Sequence, residues 1–228
     1  MPIHALQDET PATIVARFPA SARVFQAHGI DFAGRAEVTV AEALAGREER
    51  VEEVLAEVEG ALRSPAAAAE PSPLDLPVAA LVARIIDRHH GYLRRALPSA
   101  APLVARVAEV HGGRDPALLA LRDEFEALRA RLERHLDEEE HGLFPLVMSR
   151  APDPARAAAE LARMRAEHDE VLAVLGRLRE HAHGYDAPEW ACRTYRLAVA
   201  ELEDLETDLL RHVHLENHVL CARFAAGT

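Results

Sequence analysis

Two pairs of residues stand out by type and place. His135 and Glu139 fall within Leu118, Leu121, Phe125, Leu128, Leu132, His135, Glu139, Leu143 and Leu146, a series that advances in steps of three or four. His212 and Glu216 repeat the device in Tyr195, Ala198, Leu202, Leu205, Leu209, His212, Glu216 and Val219. On a helix, residues i and i+4 share one face with Cβ atoms about 5–6 Å apart, so each pair aims an imidazole and a carboxylate where leucines otherwise point. Burying a carboxylate is costly unless positive charge meets it, and a metal ion is the partner that also uses the neighbouring imidazole.

Other imidazoles join them. His168 keeps step with Leu161, Met164, Val171, Leu175 and Leu178, and His89-His90 lies in an earlier apolar series, where periodicity alone does not choose between the two. A lone core histidine is commonly a hydrogen-bonded structural residue, and Glu138-Glu139-Glu140 would ordinarily be a solvated acidic run. Two copies of the His-Glu device weigh against that reading. A core holding four imidazoles and two carboxylates without metal would forfeit several kcal/mol per unpaired charge, against a total stability of about 5–15 kcal/mol. Nitrogen and oxygen donors without thiolate suit iron, manganese or zinc. Two carboxylates able to bridge point to two ions, with di-iron favoured, since a closed structural zinc site has no use for six ligands.

Four long helical patterns must position these groups. The first runs from about Pro77 to His111, with Val82, Ile85, Ile86 and Leu93 inward and a kink expected at Pro98 and Pro102. Breaks at Gly112-Gly113, at Pro152 and Pro154, and from Gly184 to Pro188 separate the rest. Short connections between four such helices predict an all-α antiparallel bundle over residues 76–228. A smaller helical unit is expected at 1–63. Its marks are Thr10-Pro11 as N-cap and first turn, a stop at Gly29, a capping box of Thr39 with Glu42, and Val51, Val54, Leu55, Val58 and Leu62 at helical spacing. Residues 64–75, with three prolines between Ser64 and Asp75 and no apolar period, read as a linker.

The totals agree. A chain of 228 residues that is 49% hydrophobic, poor in aromatics and rich in alanine suits one helical core with a smaller unit. A net charge of -12 argues against nucleic acid or an anionic membrane as partner, and all 26 basic residues are arginine. Cys192 and Cys221 form no CxxC pair or disulfide framework and are expected to be small buried or half-buried thiols. With no signal-like start and no apolar run of membrane length, the cytoplasm is the expected compartment. A homodimer is among the partners considered.

Taken together, His90, His135-x-x-x-Glu139 followed by Leu143-Phe144-Pro145, Glu167-His168-Asp169-Glu170, and His212-x-x-x-Glu216-Asn217 followed by Val219-Leu220 resemble the hemerythrin-like domain of the iron-sulfur cluster repair di-iron proteins, also called repair of iron centres proteins. The resemblance extends to the N-terminal unit through Arg23-Val24-Phe25, His28-Gly29-Ile30-Asp31-Phe32 and Thr39 to Ala43. It implies a four-helix hemerythrin-like bundle with an oxo-bridged non-haem centre of two iron ions. Glu139 and Glu216 would be the bridging carboxylates, and His90, His135, His168 and His212 the terminal ligands, so that His90 is chosen over His89. It also implies that His111 lies near the site, against the alternative of an exposed helix-end histidine.

The implied function is repair or maintenance of iron-sulfur clusters damaged by nitrosative or oxidative stress. The protein would meet a small oxidant or nitric oxide and pass iron to iron-sulfur proteins. One departure matters: the family is expected to carry two adjacent cysteines after the Asp-aromatic pair, where this chain reads Asp31-Phe32-Ala33-Gly34-Arg35. That absence raises the alternative of a sensor or binder of oxygen or nitric oxide. Compared with oxygen-carrying hemerythrins, Leu172 and Asn217 stand where a further His and an Asp are expected, which argues against reversible oxygen carriage. Surface or rim positions are expected for His141, His181, His183, His214 and His218.

Overall fold

The structure, a computed structural model, describes residues 6–34, 37–47, 49–63, 72–151 and 153–225. Among them there is no strand, and no helix is long and apolar enough to cross a membrane. The chain forms two compact units, one of residues 1–81 with 210–228 and the other of residues 82–209. The stretch expected as a linker lies outside the described residues except for its last four, where Pro73–Asp75 makes a 3-10 turn.

In the first unit, α1 (Pro11–Arg17) starts on Thr10, whose hydroxyl accepts from the Thr13 amide. A 3-10 turn leads into α2 (Ala22–Ala27), which stops at Gly29, where φ is +67°. The stop needs glycine because this left-handed conformation strains a residue with a Cβ. The capping box expected at Thr39 and Glu42 opens α3 (Val40–Ala43). The long helix of this unit is α4 (Glu49–Leu62), with Val51, Val54, Leu55 and Val58 buried. Ile14, Phe25, Val40, Leu44 and Val54 are fully excluded from solvent, and the C-terminal residues Val213 and Leu220 are equally buried. Arg223 ties the end of the chain to this unit by donating to the carbonyls of Pro73 (2.9 Å), Leu74 (3.2 Å) and Leu76.

The second unit is a bundle. α5 (Val78–Ile85) continues through a π-helical turn, Ile86–His90, into α6 (Gly91–His111). The helix runs on through Pro98 and Pro102, both on its exposed face, where carbonyls deprived of a helical donor can turn to water. α7 (Ala117–Glu138) continues through a second π turn, Glu139–Leu143, into the short α8 (Phe144–Val147). α9 (Pro154–His181) begins on the Asp153 cap, and α10 (Arg193–His214) belongs to this unit as far as Leu209; its last residues, a third π turn, Leu215–Leu220, and the short α11 (Ala222–Ala225) belong to the first unit.

Ion pairs show the antiparallel order within this unit. Arg94 near the start of α6 meets Asp137 near the end of α7 at 2.7 Å, and α7 faces α9 with Glu138 on Arg163 (2.6 Å) and Glu124 on Arg177 (2.9 Å). Buried leucines, Phe125 and Met164 fill the middle. With burial worth about 25 cal/mol per Å² of apolar surface, this layer stabilises the unit that carries the histidines.

The three π turns are not legible as such in the apolar pattern, and their effect is specific. In each, an amide bonds to the carbonyl five residues back: Gly91 to Ile86, Phe144 to Glu139, and Cys221 to Glu216. A π turn holds one residue more than an α turn and rotates everything beyond it. The stripe therefore changes phase after Glu139. Leu143 is buried as expected, but Phe144 and Val147 take the inward positions and Leu146 is only half-buried.

Candidate metal centre

In the second unit, the structure brings His90, His135, Glu139 and His168 together. His90 is delivered by the first π turn, His135 by the last full turn of α7, Glu139 by the first residue of the second π turn, and His168 by the middle of α9. All four are at most 4% exposed. Glu139 divides its carboxylate. Its Oε1 lies 3.2 Å from His135 Nε2 and 4.0 Å from His168 Nε2, while its Oε2 lies 3.4 Å from His90 Nε2. The two imidazole nitrogens of His135 and His168 are 3.2 Å apart.

The far sides of two imidazoles are met by carboxylates. His135 Nδ1 lies 2.7 Å from Glu167 Oε2, and His90 Nδ1 lies 2.9 Å from Glu140 Oε1. A carboxylate can only accept, so each Nδ1 carries the proton and donates it, and in the neutral ring Nε2 then presents a lone pair toward Glu139. Lone pairs facing carboxylate oxygens at such distances repel. A cation among them reverses the sign of every one of these contacts, and carboxylates behind imidazoles are the usual support for metal-binding histidines.

Both supporting carboxylates are held ionised. Burial works to raise the Glu167 carboxyl, but the His135 hydrogen bond and the Arg163 guanidinium outweigh it and leave it below the ordinary range. Glu140 behaves likewise: burial opposes its charge, and hydrogen bonds from His90 and Arg94 prevail.

In the first unit, His212 and Glu216 repeat the pair. His212 Nε2 lies 3.0 Å from Glu216 Oε1, with the two residues 1% and 0% exposed. Glu216 stands in the third π turn, as Glu139 stands in the second. Among the described residues, buried His and Glu side chains form clusters that could hold a metal ion.

Several sequence-based expectations are corrected. His111 does not lie near His90: they sit at opposite ends of α6, about 30 Å apart along the helix axis at its usual rise per residue. There His111 Nε2 hydrogen-bonds Cys192 Sγ at 3.2 Å, and its ring clusters with those of Trp190 and Tyr195. Cys192 is exposed, not buried, whereas Cys221 is buried. The His111 hydrogen bond and the Tyr195 and Thr194 amides at the start of α10 lower its thiol to about 7.

His214 is not a surface histidine. It is 1% exposed, with Phe32 of the same unit packed edge-on against it at 5.9 Å. His141 and His183 are exposed and His181 is half-buried, as expected for surface or rim positions. His89 is buried as well as His90, but its Nδ1 turns to Asp208 at 3.0 Å.

The supporting carboxylates Glu140 and Glu167 were missed as functional residues. Their signal was their place beside a candidate metal-holding residue in sequence, Glu139-Glu140 and Glu167-His168, which an apolar stripe ignores.

Comparison with known proteins agrees with this chemistry. The family model described as the hemerythrin HHE cation binding domain matches residues 81–224. The iron-sulfur cluster repair protein ScdA of Staphylococcus haemolyticus is 30% identical over 216 residues, 94% of this chain and 96% of that protein. The iron-sulfur cluster repair protein YtfE of Pectobacterium carotovorum subsp. carotovorum is 28% identical over 223 residues, 98% of this chain and 99% of its own length. The protein of the same name from Yersinia pseudotuberculosis is 32% identical over 151 residues, 66% of this chain and 67% of its own. The chain therefore belongs to the hemerythrin HHE cation-binding family, among the iron-sulfur cluster repair proteins.

Proposed function

We propose that the protein holds two iron ions with His90, His135, Glu139, His168, His212 and Glu216, and that it acts in the repair of iron-sulfur clusters damaged by nitrosative or oxidative stress. The observation that carries the reading is the division of the Glu139 carboxylate, one oxygen toward His135 and His168 and the other toward His90. A carboxylate bridging two ions needs that division, and one serving a single ion does not. The second His-Glu pair, equally buried and on its own π turn, supplies the remaining two groups.

Bound iron would supply one-electron redox chemistry and an open coordination position for a small oxidant or nitric oxide. The chain's own residues do the rest. Glu167 and Glu140 keep the Nδ1 proton on His135 and His90, so that Nε2 stays a donor of its lone pair. Arg163 and Arg94 in turn hold those carboxylates in place. The near-complete burial of Glu139 and Glu216 keeps bulk water from competing for their oxygens. Iron passed to a damaged iron-sulfur protein would be cargo, and such recipients would place the protein in the cytoplasm.

A second reading, sensing of oxygen or nitric oxide, is favoured by Ala33-Gly34 at the turn where a cysteine pair is expected. The first test is metal content with the ultraviolet-visible spectrum of the aerobically purified protein. About two irons per chain with near-ultraviolet charge-transfer bands is the expected result. Zinc alone, or no uptake of ferrous iron under anaerobic conditions, would overturn the di-iron reading. Restoration of iron-sulfur enzyme activity in cells exposed to nitric oxide then separates repair from sensing, because a sensor restores none.

A further inference from the structure

The third π turn differs from the other two in what holds its side chains. Asn217 Nδ2 and His218 Nε2 both donate to one backbone oxygen, the Ala33 carbonyl, at 3.1 and 2.9 Å. Both are immediate followers of Glu216 in the same turn. The carbonyl is itself fixed in direction. Asp31 Oδ1 accepts from the Ala33 and Gly34 amides at 2.9 and 2.8 Å, a local turn that satisfies the donors of the loop and leaves the Ala33 oxygen facing the π turn. Ala33 is fully buried and Phe32 is 2% exposed, with the Phe32 ring on His214 and the His214 ring 5.3 Å from that of His218.

A π turn is rare and occurs mostly as a single-turn bulge inside an α-helix, frequently at a functional site, so what holds it in place bears on function. Here two consecutive side chains are anchored to one point of a separate loop, which pins the turn from which Glu216 projects.

We propose that the Asp31–Gly34 turn is a positioning element for Glu216, acting through the paired Asn217 and His218 hydrogen bonds to the Ala33 carbonyl, and that it sets how firmly iron is retained. The proposal rests on the metal reading above and gives the N-terminal unit a task that needs no cysteine. Loss of either donor frees the π turn to relax toward α geometry, which rotates Glu216 away from its place. Glu216 then binds less well although it is chemically unchanged.

The test loads the full-length protein with ferrous iron anaerobically and follows its transfer to a ferrous chelator, with the charge-transfer spectrum of the oxidised form and a melting curve recorded for each variant. Asp31→Ala, which breaks the turn, and His218→Phe, which keeps a ring but loses the donor, should each release iron about 10-fold faster, the usual effect of losing an outer support of a ligand. Both should shift the charge-transfer bands. His218→Gln, which keeps an N–H donor, should stay near the wild-type rate. Thr39→Ala serves as the structural control, because it weakens the same unit without touching the loop.

Wild-type release rates in a folded Asp31→Ala or His218→Phe variant would overturn the proposal, as would an equal acceleration in Thr39→Ala. If Asp31→Ala does not fold, His218→Phe and its Gln counterpart decide. Wild-type protein that takes up no iron would sink the metal reading and this proposal together. Normal uptake with unchanged release in the variants sinks only the positioning role.

Discussion

His135 with Glu139 and His212 with Glu216 are the same device in sequence, in spacing and in backbone, each pair reaching into a π turn, yet their surroundings are built differently. The first pair is supported from within the bundle: Glu167 stands behind His135, and His90 and His168 converge on the Glu139 oxygens. The second pair lies in the unit formed with the N-terminal helices, and its turn is anchored by a loop some 184 residues earlier in the chain. Identical local patterns can therefore be held by unrelated means. Substitutions remote in sequence should separate the two copies.

The largest expected effect is on metal content. Glu139→Ala removes the carboxylate toward which three imidazoles point, and iron per chain after anaerobic loading and desalting should fall to near zero. Glu216→Ala leaves the His90, His135, Glu139 and His168 set intact and should retain part of the iron. Equal loss in both would erase the distinction between the copies. Next in size is the core of the N-terminal unit. Phe25→Ala, at a fully buried position, should cost about 3–5 kcal/mol of stability in denaturant unfolding. Hydrogen exchange should accelerate across residues 210–221 and leave residues 125–143 protected, and acceleration in both segments alike would break the comparison. Smallest is the support behind the first copy. Glu167→Gln keeps the shape but gives up the charge, and should weaken metal retention about 10–100-fold in competition with a chelator. An unchanged competition curve would mean that His135 needs no carboxylate behind it.

Much of this arrangement was legible in the sequence, for a physical reason. A histidine and a glutamate in the place of leucines break an otherwise apolar period, and that break is visible without coordinates. The helix ends were equally legible, since Thr10-Pro11, Gly29 and the Thr39-Glu42 box are local signals acting over one turn. What escaped was non-local or phase-dependent. The π turns add one residue without changing composition, so Phe144 and Val147 replaced Leu146 inside. The burial of His214 depends on Phe32, and the pairing of His111 with Cys192 spans 81 positions. The choice of His90 over His89 needed the family resemblance, since both are buried and what separates them is where their ring nitrogens turn, His90 to Glu139 and Glu140 and His89 to Asp208.

The remote end of the bundle has a practical use. Cys192 is the chain's one exposed thiol, is lowered to about 7 by the His111 hydrogen bond, and shares the second unit with His90, His135 and His168 while lying against the far end of α6. A maleimide dye or spin label should therefore couple there alone in the native protein, with Cys221 left buried. Such a probe, tens of ångströms from His90 by the helix rise, would give a built-in ruler for a paramagnetic metal held there without altering any of the residues proposed to hold it.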